Sequence, residues 1–231
     1  MAYTIQTKKE IIMKNILLKL VWLVFLVPGI YLSAIWQQLP TRVPVHFNLK
    51  GEVDRYGSPN DLLIMVLIIT IVNIGVYLLL TNIYRIDRKK FAQDNKSRLQ
   101  SIAFVISVFI SAVLCTIIYS VASHSVGFFP GFIFSGVGLL FCFIGNYMHT
   151  IKPNYFAGFR LPWTLENEDN WRKTHLLGGK LFFAGGLLIA VICLLTPVII
   201  SLVAFFTITF ILIIIPIIYS YRLYKKQKSF S

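Results

Sequence analysis

Apolar positions along the chain gather in runs of bilayer length, separated by short polar stretches that carry most of the charge. The runs lie at Ile16 to Trp36, Leu62 to Tyr84, Ile102 to Ala122 and Val126 to Met148, with a last block from Leu181 to Tyr221. About 20 residues of helix cross a hydrocarbon core roughly 30 Å thick, so each of the first four predicts one crossing. The last block is 41 residues long and predicts two helices, broken at Thr196-Pro197, where proline removes a helical donor. The pattern therefore predicts an all-α integral membrane bundle of six transmembrane helices, with an ordered extracytoplasmic loop and a cytoplasmic amphipathic segment. By segment, 1–15 is a cytoplasmic N-terminal stretch. Residues 16–100 hold the first two spans, with an extracytoplasmic loop at 37–61 and a basic cytoplasmic loop at 85–101. Residues 102–221 form a four-helix part with a cytoplasmic loop at 149–180, and 222–231 is a basic cytoplasmic tail.

The chain is 57% hydrophobic and 13% charged, which excludes a water-soluble globular domain. A net charge of +13 would suggest nucleic acid in a soluble chain. Here the Lys and Arg residues sit between apolar runs, so the expected partner is the lipid bilayer, with no direct nucleic-acid contact. An alternating trace puts eighteen of them on one side and only Arg42, Lys50 and Arg55 on the other. The positive-inside rule then places both termini in the cytoplasm. Lys19, one turn into the first span, can snorkel to the same interface.

The first run is long for a signal-peptide core and reads as a retained helix. Met13 would also serve as a translation start, making the first twelve residues a dispensable extension. Cys115, Cys142 and Cys193 all lie in apolar stretches, so neither a disulfide framework nor a thiolate metal site is expected, and no cofactor. Small residues mark packing seams, since close backbone approach drives helix association in lipid. They are Gly127, Gly131 and Ser135 in the fourth span, and Gly178, Gly179, Gly185, Gly186 and Ala190 in the fifth. A flexible gate is the lesser alternative.

Two loops carry information. From Leu39 to Pro59, Val43, Val45 and Phe47 alternate with Pro44 and His46 as in a short strand, and Gly51, Gly57 and Pro59 mark turns. A compact cap is expected, with His46, Phe47, Asn48 and Asp54 as its contact or shaping residues. His46 and Asn48 either close turns through hydrogen bonds or bind a ligand. From Asn154 to Phe182, aromatic residues suit the interface, and Pro162 ends the first part. Thr164 or Asn167 caps a helix with Glu168 and Asp169 in its first turn. Glu168 with Arg172 and Asp169 with Lys173 stand one turn apart, and Asn167, Trp171 and His175 share a face that docks on the bundle or on a partner.

These loops carry a resemblance. The first resembles the short domain of unknown function that often precedes SdpI-type spans. The second resembles the signature of the SdpI family, through Asn154, Tyr155, Phe156, Gly158, Arg160, Pro162, Trp163, Thr164, Leu165, Asn167, Trp171, Lys173, Thr174, His175 and Gly178. Ile86-Asp87-Arg88-Lys89 also looks like the family's. Leu161 departs from it, standing where a small or hydroxylated residue is expected. The resemblance implies a bacterial membrane immunity and signalling protein. Its partners would be a secreted antimicrobial peptide toxin, met outside, and a small DNA-binding repressor, held at the inner face. In that reading Asn154, Gly158, Arg160, Pro162, Trp163, Thr164, Asn167, Trp171 and His175 organise the cytoplasmic face.

The main alternative is a small-solute or peptide transporter or channel, which six spans and glycine seams suit. None of the five later spans holds Asp, Glu, Lys or Arg in its core, where coupled carriers place such groups. Asn73 and Asn82 are the strongest polar candidates there, with helix-to-helix hydrogen bonding as their expected role. A membrane enzyme is less supported. His46 and His124 on one side and His149 and His175 on the other are two per face, and no HExxH pattern occurs.

Overall fold

The computed structural model describes residues 2–48, 53–123 and 129–228, and the side chains of 2–18, Phe47, Phe129 and Pro130 are not among those described. Within these bounds the chain is all-α, 81% helical, with seven α-helices and one pair of strands. In order they are α1 (Ala2–Ile35), β1 (Val43–Phe47), β2 (Val53–Gly57), α2 (Pro59–Asn82), α3 (Ala92–Ser123), α4 (Phe129–Met148), α5 (Pro162–Glu166), α6 (Glu168–Leu195) and α7 (Val198–Lys228). Six of the helices are long and apolar enough to cross a membrane. The chain is a multi-pass membrane protein.

Several boundaries differ from the sequence reading, each for a local reason. α1 is helical from Ala2, ahead of the apolar run that opens at Ile16. Pro59 is not in a turn but occupies the first position of α2, where its missing N–H costs nothing. Ser58 precedes it and donates from N at 2.7 Å and from Oγ at 2.9 Å to Asp61 Oδ2, so the first-turn carboxylate reaches back to fix the entry to the helix. α3 begins at Ala92, so much of the basic stretch at 85–101 is helix. The amphipathic segment and the fifth span are one helix, α6, of 28 residues. Glu168 pairs not with Arg172 but with Lys90, at 2.6 Å. Asp169 does meet Lys173, at 2.7 Å, and also Arg172, at 2.9 Å.

The break at Thr196-Pro197 is where it was expected. Thr196 is extended (φ −120°, ψ 156°), as a residue before proline prefers. Buried Ser201 sits with its hydroxyl 3.3 Å from Cys193 O and 3.1 Å from Thr196 O, which satisfies carbonyls the ending helix leaves open.

The chain divides into two compact units. The first holds α1, the hairpin, α2 up to Tyr77 and α3 from Ala103. Its core gathers Leu32, Val43, Leu62, Val66, Leu114, Ile118 and Val121. Deeper in this unit, Phe25 meets Tyr77 edge-on at 5.7 Å. Buried Asn73 donates to Ser107 O at 3.2 Å and Ser111 Oγ at 3.3 Å, tying α2 to α3.

The second unit holds the remaining parts of α2 and α3 with α4 to α7. Its centre is an antiparallel seam between α4 and α6. A methyl added at Gly131 would meet Cys193 O at 2.6 Å, at Gly138 Gly186 O at 2.6 Å, and at Gly145 Gly179 O at 2.7 Å. The contact residues recur every seven positions on both helices, 131, 138 and 145 facing 193, 186 and 179, the period that keeps two shallowly crossed helices in register. Ser135 Oγ donates to Ala190 O at 2.9 Å and Cys142 Sγ to Phe183 O at 3.2 Å across the same seam. Gly131, Ser135, Gly179 and Gly186 thus take the packing role expected of them. Gly178 packs against Phe159 and Met148, and Gly185 against Leu212 of α7. Gly127 lies outside the described residues.

Candidate functional site

Two clusters contain the residues singled out by sequence, one in each unit. In the first, β1 and β2 pair antiparallel, Val43 opposite Gly57 and Phe47 opposite Val53, with irregular register on either side of His46. The hairpin is anchored by Val43, whose side chain is fully buried in the unit's core. Gly57 is close-packed, because a methyl there would meet Asp61 Oδ2 at 2.6 Å. On the exposed side His46 Nδ1 lies 2.6 Å from Asp54 Oδ1, so two of the four candidates come together as a cross-strand pair. Asn48 is half-buried beside them in sequence. The Phe47 side chain, Gly51 and His124 lie outside the described residues. At the end of α1 a cleft of about 680 Å³ opens, lined by apolar Leu32, Trp36 and Leu63 and by the amides of Gln37 and Gln38. Among the described residues His, Cys, Asp and Glu side chains nowhere gather in threes.

The second cluster is built on the loop between α4 and α6. Asn154 is 1% exposed and acts as the loop's internal brace. Its Oδ1 accepts from Phe156 N at 2.9 Å and Ala157 N at 2.7 Å, while Nδ2 donates to Lys152 O at 2.9 Å and Ala157 O at 3.2 Å. Gly158 follows with φ +99°, a backbone that side chains disfavour. The space a side chain would need is filled by the His175 ring. Phe159 N–H donates to His175 Nε2 at 3.0 Å, and His175 Nδ1 lies 2.8 Å from Trp171 O. Because Nε2 accepts, the proton sits on Nδ1, and the imidazole is neutral with both nitrogens used. It stacks on Trp171 at 3.9 Å, and Trp171 Nε1 donates to Ile151 O at 2.8 Å.

Pro162 opens α5 instead of ending a segment, and Thr164 locks that turn. Its Oγ1 accepts from Leu161 N at 2.9 Å and donates to Phe159 O at 2.7 Å. Of the two caps considered, Asn167 caps α6, accepting from Asn170 N at 2.9 Å. Trp163 bridges to α7, its Nε1 donating to Ser220 Oγ at 2.8 Å and its ring stacking on Tyr224 at 5.7 Å. Arg160 is exposed and donates from Nη1 to Tyr155 O at 2.8 Å. The face of α6 carrying Trp171 and His175 therefore docks on its own unit, the first of the two choices its spacing left open.

Sequence reading missed the polar partners of this cluster. Asn170, fully buried, donates to Ser220 O at 3.1 Å, and its Oδ1 accepts from Ser220 Oγ at 2.8 Å and Thr174 Oγ1 at 3.1 Å. Asn95 pairs twice with the Lys152 backbone, at 3.0 and 2.9 Å. Lys89 Nζ donates to Leu165 O at 2.9 Å. Asn170 and Thr174 stand one turn apart beside Trp171 and His175, and that i,i+4 spacing is the signal that could have found the first group. The others are visible only once the loops are folded.

With six long apolar helices among its described residues, the chain is an integral membrane protein. Residues 150–220 match the SdpI/YfhL protein family, and residues 23–70 match a domain of unknown function, DUF1648. It is 27% identical over 197 residues to "Immunity protein SdpI" of Bacillus subtilis (strain 168), covering 83% of this chain and 88% of that protein. No solved structure matches.

Proposed function

We propose that this protein protects the bacterium that carries it against a secreted, membrane-active peptide toxin. The observation that carries the reading is its likeness to a curated immunity protein across 83% of the chain, together with the family match over 150–220. The toxin would meet the hairpin and the cleft at the end of α1, whose mixed lining of indole, aliphatic and amide groups suits an amphipathic peptide. His46 and Asp54 would shape or touch it, with Phe47 and Asn48 beside them. Both termini and the motif loop would face the cytoplasm, as the charge asymmetry favours. There the cluster from Asn154 to His175 would organise a surface able to hold a small DNA-binding repressor. Toxin could then act as a signal only by binding two states of the protein unequally.

The test is expression in a toxin-sensitive bacterium challenged with purified sporulation-delaying peptide, comparing the parent with His46→Ala and Arg160→Ala. Protection by the parent supports immunity, and loss of protection in a variant of normal abundance assigns that residue a role. A well-expressed parent that gives no protection removes immunity to this toxin. Buried Asn73, whose Oδ1 has no protein partner, is the feature that favours a solute path instead. Solute flux through liposomes without any protection would establish that second reading.

A further inference from the structure

The cations around the motif loop fall into two kinds. Lys90, Lys152, Arg172 and Lys173 are neutralised by carboxylates, on Glu168 at 2.6 Å, Asp94 at 2.7 Å and Asp169 at 2.9 and 2.7 Å. Lys89 and Arg160 are held by main-chain carbonyls instead, Leu165 O at 2.9 Å and Tyr155 O at 2.8 Å. A carbonyl fixes a cation in place without cancelling its charge, and each keeps spare N–H donors. Asp87 Oδ1 accepts the backbone N–H of Lys89 at 3.0 Å, and Glu166 follows Leu165 in the chain. Among the described ion pairs neither acid engages Lys89 or Arg160.

Both cations meet on one residue. Arg160 takes the carbonyl of Tyr155, and Lys89 Nζ lies 5.1 Å from the centre of its ring. Tyr155 is 47% exposed and Phe156 37%, so the two rings present an open aromatic surface beside the two uncompensated charges. Aromatic rings of this kind sit at headgroup level in membranes. A guanidinium fork with a neighbouring ammonium is a phosphate-binding combination.

We propose that Lys89, Arg160 and Tyr155 form a binding site for the phosphate of an anionic phospholipid, with the Tyr155 and Phe156 rings against its acyl region. A lipid is favoured over free phosphate because the rings offer apolar surface that only a lipid would cover. The headgroup would bridge the loop after α2 and the motif loop, which Lys89 already ties together through Leu165. The proposal rests on the orientation part of the functional reading, which sets this loop at the inner leaflet, and not on immunity.

The test uses the full chain, purified in detergent and offered phosphatidylglycerol or phosphatidylcholine, with retained lipid measured by native mass spectrometry. The parent should retain phosphatidylglycerol preferentially. Lys89→Gln and Arg160→Gln should each reduce that preference about fivefold, the factor expected for one interfacial cation. Arg172→Gln, which removes a cation already paired, should leave it unchanged. A parent with no preference, or an equal loss in Arg172→Gln, overturns the site. Removal of the lipid by inorganic phosphate at constant ionic strength overturns the lipid assignment in favour of free phosphate. Should a Gln variant fold poorly, Arg160→Lys decides: it keeps the charge but loses the fork, and retention should fall between parent and Arg160→Gln. Retention equal to the parent would reduce the role of Arg160 to charge alone and overturn the phosphate fork. Toxin protection enters none of these readouts, so failure here leaves the immunity reading standing.

Discussion

The backbone N–H of Phe159 points at Nε2 of His175, sixteen residues away in the chain, at 3.0 Å. The same ring occupies the space a side chain at Gly158 would need. The loop and the helix are therefore fitted to each other at a single imidazole, which gives His175 and Gly158 one shared physical role. His175→Ala removes a buried ring stacked on Trp171 and leaves the Phe159 N–H without its acceptor. The expected loss is about 2 to 4 kcal/mol. Gly158→Ala costs about 1 to 3 kcal/mol from its left-handed backbone alone, before the clash with the ring. Thermal unfolding in detergent, followed by tryptophan fluorescence, checks both. A Gly158→Ala variant that melts with the parent would contradict the fit.

The α4–α6 seam gives a second prediction with its own control. Gly138 and Gly186 face each other so closely that a methyl on either would meet the other's carbonyl oxygen, at 2.6 and 2.5 Å. Gly75, in α2, has no neighbour within 4 Å of an added methyl. Gly138→Ala and Gly186→Ala should each destabilise by about 1 to 3 kcal/mol through forced backbone separation. Gly75→Ala should be neutral or stabilising by up to about 1 kcal/mol, because alanine is the better helix former. Equal melting temperatures for all three would show that the seam does not hold the second unit together.

These sites were legible in the sequence to different depths. The break at Thr196-Pro197 and the strand Val43–Phe47 could be read because each depends on local chemistry, a proline and an alternation of side chains. The partner strand Val53–Gly57 could not, since Asp54 and Arg55 spoil its pattern and its pairing comes from β1. α6 read as two segments because its composition turns from polar to apolar beyond His175. Gly178 and Gly179 read as packing positions, and they pack against Phe159 and Gly145. The seven-residue recurrence of Gly131, Gly138 and Gly145 was present in the sequence. Its meaning appears only when 193, 186 and 179 are laid antiparallel beside it. The hydrogen bonds of Asn95, Asn170 and Lys89 join parts of the chain 50 or more residues apart, beyond any local pattern.

Asn73 supplies a third prediction. Its amide donates to two groups on α3, while its Oδ1 and the Ser107 hydroxyl have no protein partner. Hydrogen bonds between membrane helices contribute only about 0.6 kcal/mol on average, reaching about 1.7. Asn73→Leu should therefore lower stability by no more than about 2 kcal/mol, and toxin protection by a well-expressed variant should persist. A full loss of protection at normal abundance would make Asn73 a working group in protection rather than a helix tie.

The orientation proposed from the charge asymmetry can be measured directly. Asp54→Cys and Arg160→Cys introduce single exposed thiols in the hairpin and the motif loop. Cys115 and Cys142 are half-buried and Cys193 buried, and all three can be changed to serine, whose hydroxyl can stand in for the thiol donors of Cys142 and Cys193. In intact cells a membrane-impermeant maleimide should label Asp54→Cys and not Arg160→Cys, and permeabilisation should reverse the contrast for Arg160→Cys. Labelling of Asp54→Cys only from the cytosol would overturn the topology and with it the placement of toxin and lipid.

The last prediction separates shaping from contact at the hairpin. The His46–Asp54 pair is 57% and 43% exposed at its two side chains, and exposed pairs of this kind contribute roughly 0.2 to 1 kcal/mol. A double-mutant cycle with His46→Ala, Asp54→Ala and both together should thus show a stability coupling of at most about 1 kcal/mol. If the pair only shapes the hairpin, both single variants should lose protection equally and the double variant no further. If His46 itself touches the toxin, His46→Ala should lose more protection than Asp54→Ala at matched abundance, since removing Asp54 leaves the imidazole in place. Dose–response curves of survival against toxin concentration read the difference. Full protection by both single variants and by the double would remove the pair from the toxin site altogether.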